Sequence, residues 1–267
     1  DYIEQSADET SEEFNSLEIL LLIWMALRLK KLADLENITE DYDSWKETAT
    51  KEFSEYVGTQ FSKTRKTALG LVKSVVQKGV EKTLNESKKR VEEYTEVKKD
   101  TVLTQPIKKI LNKGVKDTQD EIKNLCNISR KCTNRQFIRY CDQAYSKIVA
   151  GQDAEKAIES SIRSLAKKGI EVIGYTDSTT SMDAAVKRAV TTGVNQTALK
   201  SSLESCNDYG INIVKTSSHS GARPSHAEWQ GQFFYLNKPV KGLKKFKSAT
   251  GYGKVDGLGG ANCRHSF

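Results

Sequence analysis

Prolines occur at only three positions, 106, 224 and 239. Proline removes an amide donor and clashes with the preceding turn of a helix, so long uninterrupted helices are permitted over most of the first 220 or so residues. A hydrophobic content of 37 % beside a charged content of 29 % suits extended, well-solvated helices better than a compact enzyme. With 267 residues the chain can bury a sizeable core as one large domain or two smaller ones.

The helical signal is strong but uneven. Residues 1–13 are acidic and polar, and are expected to order only on a partner. A helix is expected from about 14 to 36, and within it the run Ile19–Leu27 is apolar without a break. Nine apolar residues followed by Arg28, Lys30 and Lys31 fall well short of the roughly 20 that a bilayer requires. A helix apolar on nearly every side is instead buried in a bundle or a subunit interface. Leu20, Leu21, Ile23, Trp24 and Leu27 are therefore candidates for a protein interface.

From about 40 to 100, Trp45, Phe53, Tyr56, Val57, Phe61, Leu69, Val72 and Val76 recur three or four residues apart, the spacing of one helix face. Pro106 punctuates the pattern. A second helical section, 107–170, places Phe137, Tyr140, Cys141, Ala144, Tyr145, Ile148 and Val149 on one side, with Gly151 and Gly169 as stops. Residues 170–180 read as an extended piece ending in turn residues. Ser181 would then cap a helix whose inner side carries Met182, Val186, Ala189, Val190, Val194 and Thr197. A short β-type run follows at 211–216. Beyond it, glycine density and lost periodicity indicate loops and short strands. Neither an internal repeat nor a sustained heptad pattern is present.

Charge is distributed asymmetrically. Residues 1–50 hold thirteen acids against four bases, a net of −9, whereas residues 207–267 hold nine bases against three acids, a net of +6. An acidic end is suited to docking on protein, and a basic end can approach nucleic acid. Lys238, Lys241, Lys244, Lys245, Lys247 and Lys254 lie in one stretch without acids, which could follow phosphates with little base readout. Solvated helix faces and a solvated loop are the alternatives. Five cysteines, at 126, 132, 141, 206 and 263, form an odd set without a CxxC pair. A disulfide framework is not expected, and a reducing compartment is. The chain begins with Asp1 and ends on a motif, so residues are expected beyond both ends.

All three histidines, His219, His226 and His265, fall in the last fifth of the chain. Together with Arg223, Glu228, Asp256 and Cys263 they allow three readings. Zinc accepts four nitrogen and sulfur ligands in a tetrahedron, which His219, His226, Cys263 and His265 could supply, although neither their seven-residue gap nor Cys-x-His is a common ligand spacing. A nuclease would use a histidine as general base and Arg223 against phosphate, but no nucleophile elbow, phosphate loop or nuclease motif stands nearby. The third reading has these groups satisfying the amides and carbonyls of an irregular lobe, with Trp229, Phe233, Phe234 and Tyr235 as its small core. This last reading is preferred, and no cofactor is expected; zinc is the exception held open.

The segments "VKTSSHSGARPSHAEWQGQFF" and "GYGKVDGLGGANCRHSF" resemble the C-terminal signature of the phage minor capsid protein 2 family, itself similar to the head-morphogenesis proteins of tailed phages. The likeness extends upstream through "AYSKIVAGQDAEKAIESSIRSLAKKGIEVIGY" and "SMDAAVKRAVTTGVNQT", covering roughly residues 137–267. His219, Gly221, Arg223, Ser225, His226, Trp229, Gly231, Asn262, Cys263, Arg264 and His265 fall on its characteristic positions. Related head proteins often end in Cys-Arg-Cys where this chain has Cys263-Arg264-His265. The resemblance implies a structural, non-enzymatic virion component in several copies near the portal vertex inside the capsid. It would be assembled in the host cytoplasm against the portal and other head proteins, facing packaged double-stranded DNA. It brings no catalytic role; the rival reading remains a nuclease or toxin-like enzyme on the C-terminal histidines. The fold expected is α+β, with a helical region at 1–136 and a mixed, loop-rich lobe at 137–267.

Overall fold

The computed structural model describes residues 2–98, 102–173, 179–260 and 263–267, with side chains from Ala7 onward except that of Ile173. The fold is α+β. Long helices α1 (Tyr2–Lys30), α2 (Ile38–Tyr94) and α3 (Gln105–Val149) come first, then α4 (Ala154–Lys168) and the strands β1 (Glu171–Ile173) and β2 (Thr179–Ser181). After α5 (Met182–Tyr209) follow β3 (Ile213–Lys215), α6 (Pro224–Ala227), β4 (Phe233–Tyr235), β5 (Lys244–Lys245) and α7 (Phe246–Thr250). The chain packs as two units. One comprises Glu9–Gly70 and Glu121–Lys187; the other comprises Asp1–Asp8, Leu71–Asp120 and Arg188–Phe267. Helix α3 runs through residues 136 and 137 without a break.

Helix ends follow local chemistry. The Asn37 carbonyl accepts the amides of Glu40 and Asp41 at the start of α2, Pro106 sits in the first turn of α3 where no intrahelical donor is needed, and Asp153 caps α4 by accepting the Lys156 amide at 3.0 Å. Gly169 ends α4 with a positive φ of 65°. Ser181 closes β2 directly before α5.

The acidic N-terminal segment differs from its expectation: it is helical from Tyr2, and Ala7 and Thr10 are fully buried. Its inner face continues as Phe14, Leu17, Leu21, Met25 and Leu29, all buried. Small residues, rather than large apolar ones, carry that face through the acids, so hydropathy alone hides it.

In the first unit, Trp24 stacks on Phe53 at 4.8 Å and meets Phe137 edge-on at 5.7 Å, and Phe53 lies 4.5 Å from Phe137. Tyr42 stacks flat on Tyr145 at 3.8 Å and donates its hydroxyl to Asp142 at 2.7 Å. Burial, and then the Asp142 carboxylate, push the Tyr42 phenol far above its ordinary range. The Glu18 carboxylate accepts the Ile170 amide at 2.7 Å, and burial raises its pKa. Arg28 pairs with Glu52.

In the second unit α3 and α5 approach through small residues. A Cβ on Gly114 would run into the Thr197 hydroxyl, and one on Gly193 into the Thr118 hydroxyl. Both threonines turn their hydroxyls back to their own helix, Thr118 to the Gly114 carbonyl at 2.8 Å and Thr197 to that of Gly193 at 2.7 Å. Reciprocal Gly-x-x-x-Thr pairs thus let two backbones come close while both hydroxyls remain satisfied. Gly79 on α2, with Thr83 bonded to its carbonyl at 2.9 Å, receives Val194 in the same manner.

The terminal lobe, within this second unit, holds a three-stranded sheet ordered β3-β4-β5, antiparallel then parallel. Leu199, Val214, Trp229, Phe234, Leu236, Phe246 and Leu258 form its core. Phe233 does not join them: it is exposed, with the Lys215 ammonium 5.3 Å from its ring centre. Strand alternation sends Phe234 inward and its neighbour outward, and Tyr235 is half-buried.

Candidate functional site

Three groups of residues offer chemistry or contact surface. The first lies on α1. Leu21 is fully buried and belongs to the chain's own core, and Trp24 is half-buried in the aromatic cluster. Ile19, Leu20, Ile23 and Leu27 are 46–59 % exposed. Spaced by three and four residues, they form one apolar row on the outer side of the helix.

The second is the lysine segment. Lys238, Lys241, Lys244, Lys245, Lys247 and Lys254 are all exposed, whereas Phe246 in their midst is fully buried and fastens the segment to the lobe core. Asn212 braces its start, donating to the Lys238 carbonyl at 2.7 Å and accepting the amides of Asn237 and Lys238.

The third gathers the histidines. His226 is placed by the single turn of α6, which Pro224 starts. Cys263 and His265 arrive on an extended tail, held where Ser217 donates its amide to the Ser266 carbonyl and Ser266 donates its amide to the Ser217 hydroxyl. His226, Cys263 and His265 are 2 %, 4 % and 1 % exposed. The His219 ring lies 4.2 Å from His265, that of His226 at 5.1 Å, and Trp229 closes the cluster 4.7 Å from His265. Candidate ligand atoms of His226, Cys263 and His265 all lie within 4.8 Å of one another.

Each ring has one nitrogen anchored to oxygen. His226 Nε2 meets the Asp256 carbonyl at 2.8 Å, His265 Nε2 meets Gln230 Oε1 at 3.2 Å, and His219 Nδ1 meets the Ser220 carbonyl at 3.0 Å. Carbonyl oxygens only accept, so these nitrogens carry the protons. The Gln230 amide is oriented by a second bond, since its oxygen also accepts the His219 backbone amide at 3.3 Å. Burial, with His219 and His226 adding to it, pushes the His265 imidazole down to about 4, so that ring is neutral at pH 7.

The glycine-rich segment 251–260 shapes the wall behind Asp256. A Cβ on Gly257 would strike the Gly251 carbonyl, and one on Gly260 the Val255 carbonyl. Close turns of backbone, rather than flexibility, account for its composition. Arg223, Ser225, Glu228 and the Asp256 side chain are exposed; Gly221 and Gly231 hold positive φ values of 75° and 70°. Arg264 points outward between the two buried ligand-type residues. Asn262 lies outside the described residues.

The sequence names the members of this cluster but misses Gln230 and the Asp256 carbonyl, which orient it. Gln230 had one available signal: it sits four residues after His226, on the same side of a helical turn. All five cysteines are free thiols, and burial pushes Cys126, Cys141 and Cys206 up to about 11, 12 and 11 respectively. Among the described residues no helix is long and apolar enough to cross a membrane.

A family model, described as phage minor capsid protein 2, matches residues 1–267, the whole chain. No curated protein and no solved structure matches it.

Proposed function

The chain belongs to the phage minor capsid protein 2 family, and from that premise we propose that it is a non-enzymatic head component docked at the portal vertex with its lysine segment against packaged DNA. Membership makes it a structural component of the virion that associates with other head proteins. The observation that carries the portal reading is the exposed row Ile19, Leu20, Ile23 and Leu27. Contiguous apolar surface left in water is costly, and a partner helix or a neighbouring copy would cover it. The six exposed lysines support the DNA reading, and the near-complete burial of His226, Cys263 and His265 supports a non-catalytic one, since a substrate must reach the reacting atoms.

The decisive experiment is co-assembly of portal protein with an Ile23→Asp/Leu27→Asp variant, whose altered side chains face solvent and leave the fold intact. Loss of co-purification is expected; unchanged co-assembly would overturn the portal reading. For DNA, the logarithm of affinity for duplex should fall steeply with the logarithm of salt, with a slope of about −5 if all six lysines neutralise phosphates. Salt-insensitive binding, or none, defeats that part. Cleavage of RNA or DNA by the intact protein, lost in His226→Ala, would replace the structural reading with the enzymatic one.

A further inference from the structure

The hydrogen bonds that hold the histidine rings explain only half of their nitrogens. His226, His265 and His219 each fix one nitrogen on a carbonyl-type oxygen, which leaves the other nitrogen of each ring as the atom able to offer a lone pair to a ligand. His265 directs that lone pair, on Nδ1, at Cys263 Sγ, 3.7 Å away. The corresponding atom of His219, Nε2, is buried and has no hydrogen-bond partner among the described residues. Burying an unsatisfied acceptor costs about 1–3 kcal/mol, a cost that a bound metal would remove.

We propose that His219, His226, Cys263 and His265 form a closed, structural zinc site. The donor set, three imidazoles and one thiolate, is the borderline-soft combination that zinc prefers. With zinc–sulfur bonds of about 2.3 Å and zinc–nitrogen bonds of about 2.0–2.1 Å, the sulfur–nitrogen edge of a tetrahedron is about 3.6 Å, close to the Cys263–His265 separation of 3.7 Å. The trio within 4.8 Å supplies three corners. His219 lies outside that trio, its ring centre 4.2 Å from that of His265, and would complete the fourth corner by turning its unpartnered Nε2 toward the metal. The outer partners have the form such sites need: Gln230 Oε1 and the Asp256 carbonyl each take the second N–H of a ligand ring, fixing its tautomer and orientation. Binding releases the thiol proton to solvent and involves no redox change. Near-complete burial of three ligands makes the site a staple rather than a catalytic centre. It would join the segment 219–230 to the tail 263–265, two stretches with little regular structure of their own. The inference is independent of the portal and DNA readings.

The test uses the untagged 267-residue chain. After purification without added metal and equilibration with zinc sulfate and a competing chelator, elemental analysis should find one zinc per chain. Cobalt substituted for zinc should give intense visible bands of a tetrahedral site and a near-ultraviolet thiolate-to-cobalt band. Cys263→Ser should abolish the thiolate band, and Gln230→Ala should weaken zinc affinity by about 10- to 100-fold. A folded chain that takes up no zinc overturns the proposal, as does a Cys263→Ser variant that keeps the thiolate band, which would place the metal on another cysteine. Should that variant fail to fold, thiol alkylation of the unaltered chain mapped by mass spectrometry decides: protection of Cys263 that depends on zinc upholds the site, and labelling indifferent to zinc overturns it.

Discussion

The aromatic cluster of α1, α2 and α3 and the histidine cluster of the terminal lobe both pack rings at about 4–6 Å, but they are held together by different forces. Trp24, Phe53 and Phe137 come from long helices whose backbones need nothing from them; their contribution is burial and ring contact. His219, His226, His265 and Trp229 come from a turn, a single-turn helix and an extended tail. There the rings replace missing secondary structure, because each imidazole satisfies a backbone or side-chain oxygen. The first cluster depends on volume, the second on the number and placement of hydrogen-bonding atoms.

The largest expected effect breaks the volume-dependent cluster. Phe53→Ala should cost about 3–5 kcal/mol in chemical denaturation, while the more volume-conserving Phe53→Leu should cost under about 1.5 kcal/mol. The second cluster should respond to atoms instead of size. His226→Phe keeps a ring but strands the Asp256 carbonyl, for an expected loss of about 1–3 kcal/mol; a loss under half of that would make the clusters alike. Gly114→Ala tests the approach of α3 to α5 and should cost about 1–3 kcal/mol through overpacking, with Thr197→Ala restoring part of it by removing the hydroxyl and methyl that the new Cβ would meet. Ile23→Asp is the smallest, within about 0.5 kcal/mol in the isolated chain, because its side chain already faces water.

The same difference decides what could be read from the sequence. Helix faces such as Phe137, Tyr140, Cys141 and Ala144 are written into a repeat of three and four, and burial follows that repeat. Where a face is made of Ala7, Thr10 and Ser11 the repeat is present but not apolar, so the acidic segment looks unstructured while it is helical. Val149, the last residue in the α3 repeat, is exposed where the helix ends. The run Ile19–Leu27 identifies a helix apolar on all sides, yet the split between buried Leu21 and exposed Leu20 depends on which neighbours exist. Gly-x-x-x-Thr at 79, 114 and 193 was visible as a pattern, but its meaning lies in a facing helix. For the histidines, ligand-spacing rules describe residues that share one turn or knuckle. They are silent on a short helix and a tail brought together from positions 226 and 263, whose encounter is fixed by Ser217, Ser266 and the folded glycine segment.

The pairing of Ser217 with Ser266 also sets an order of events at the ribosome. Helices α1 to α5 are built from neighbours in sequence and can begin to form as they emerge, whereas β3 waits about twenty residues for β4 and Ser217, just beyond it, waits almost fifty for Ser266. At about 5–20 residues per second that is a delay of several seconds during which Val214, Trp229 and Phe234 have no finished core to enter. A cell making this protein therefore handles a chain whose long helices precede its lobe in time, and premature termination anywhere in that interval would release helices attached to an open, adhesive end.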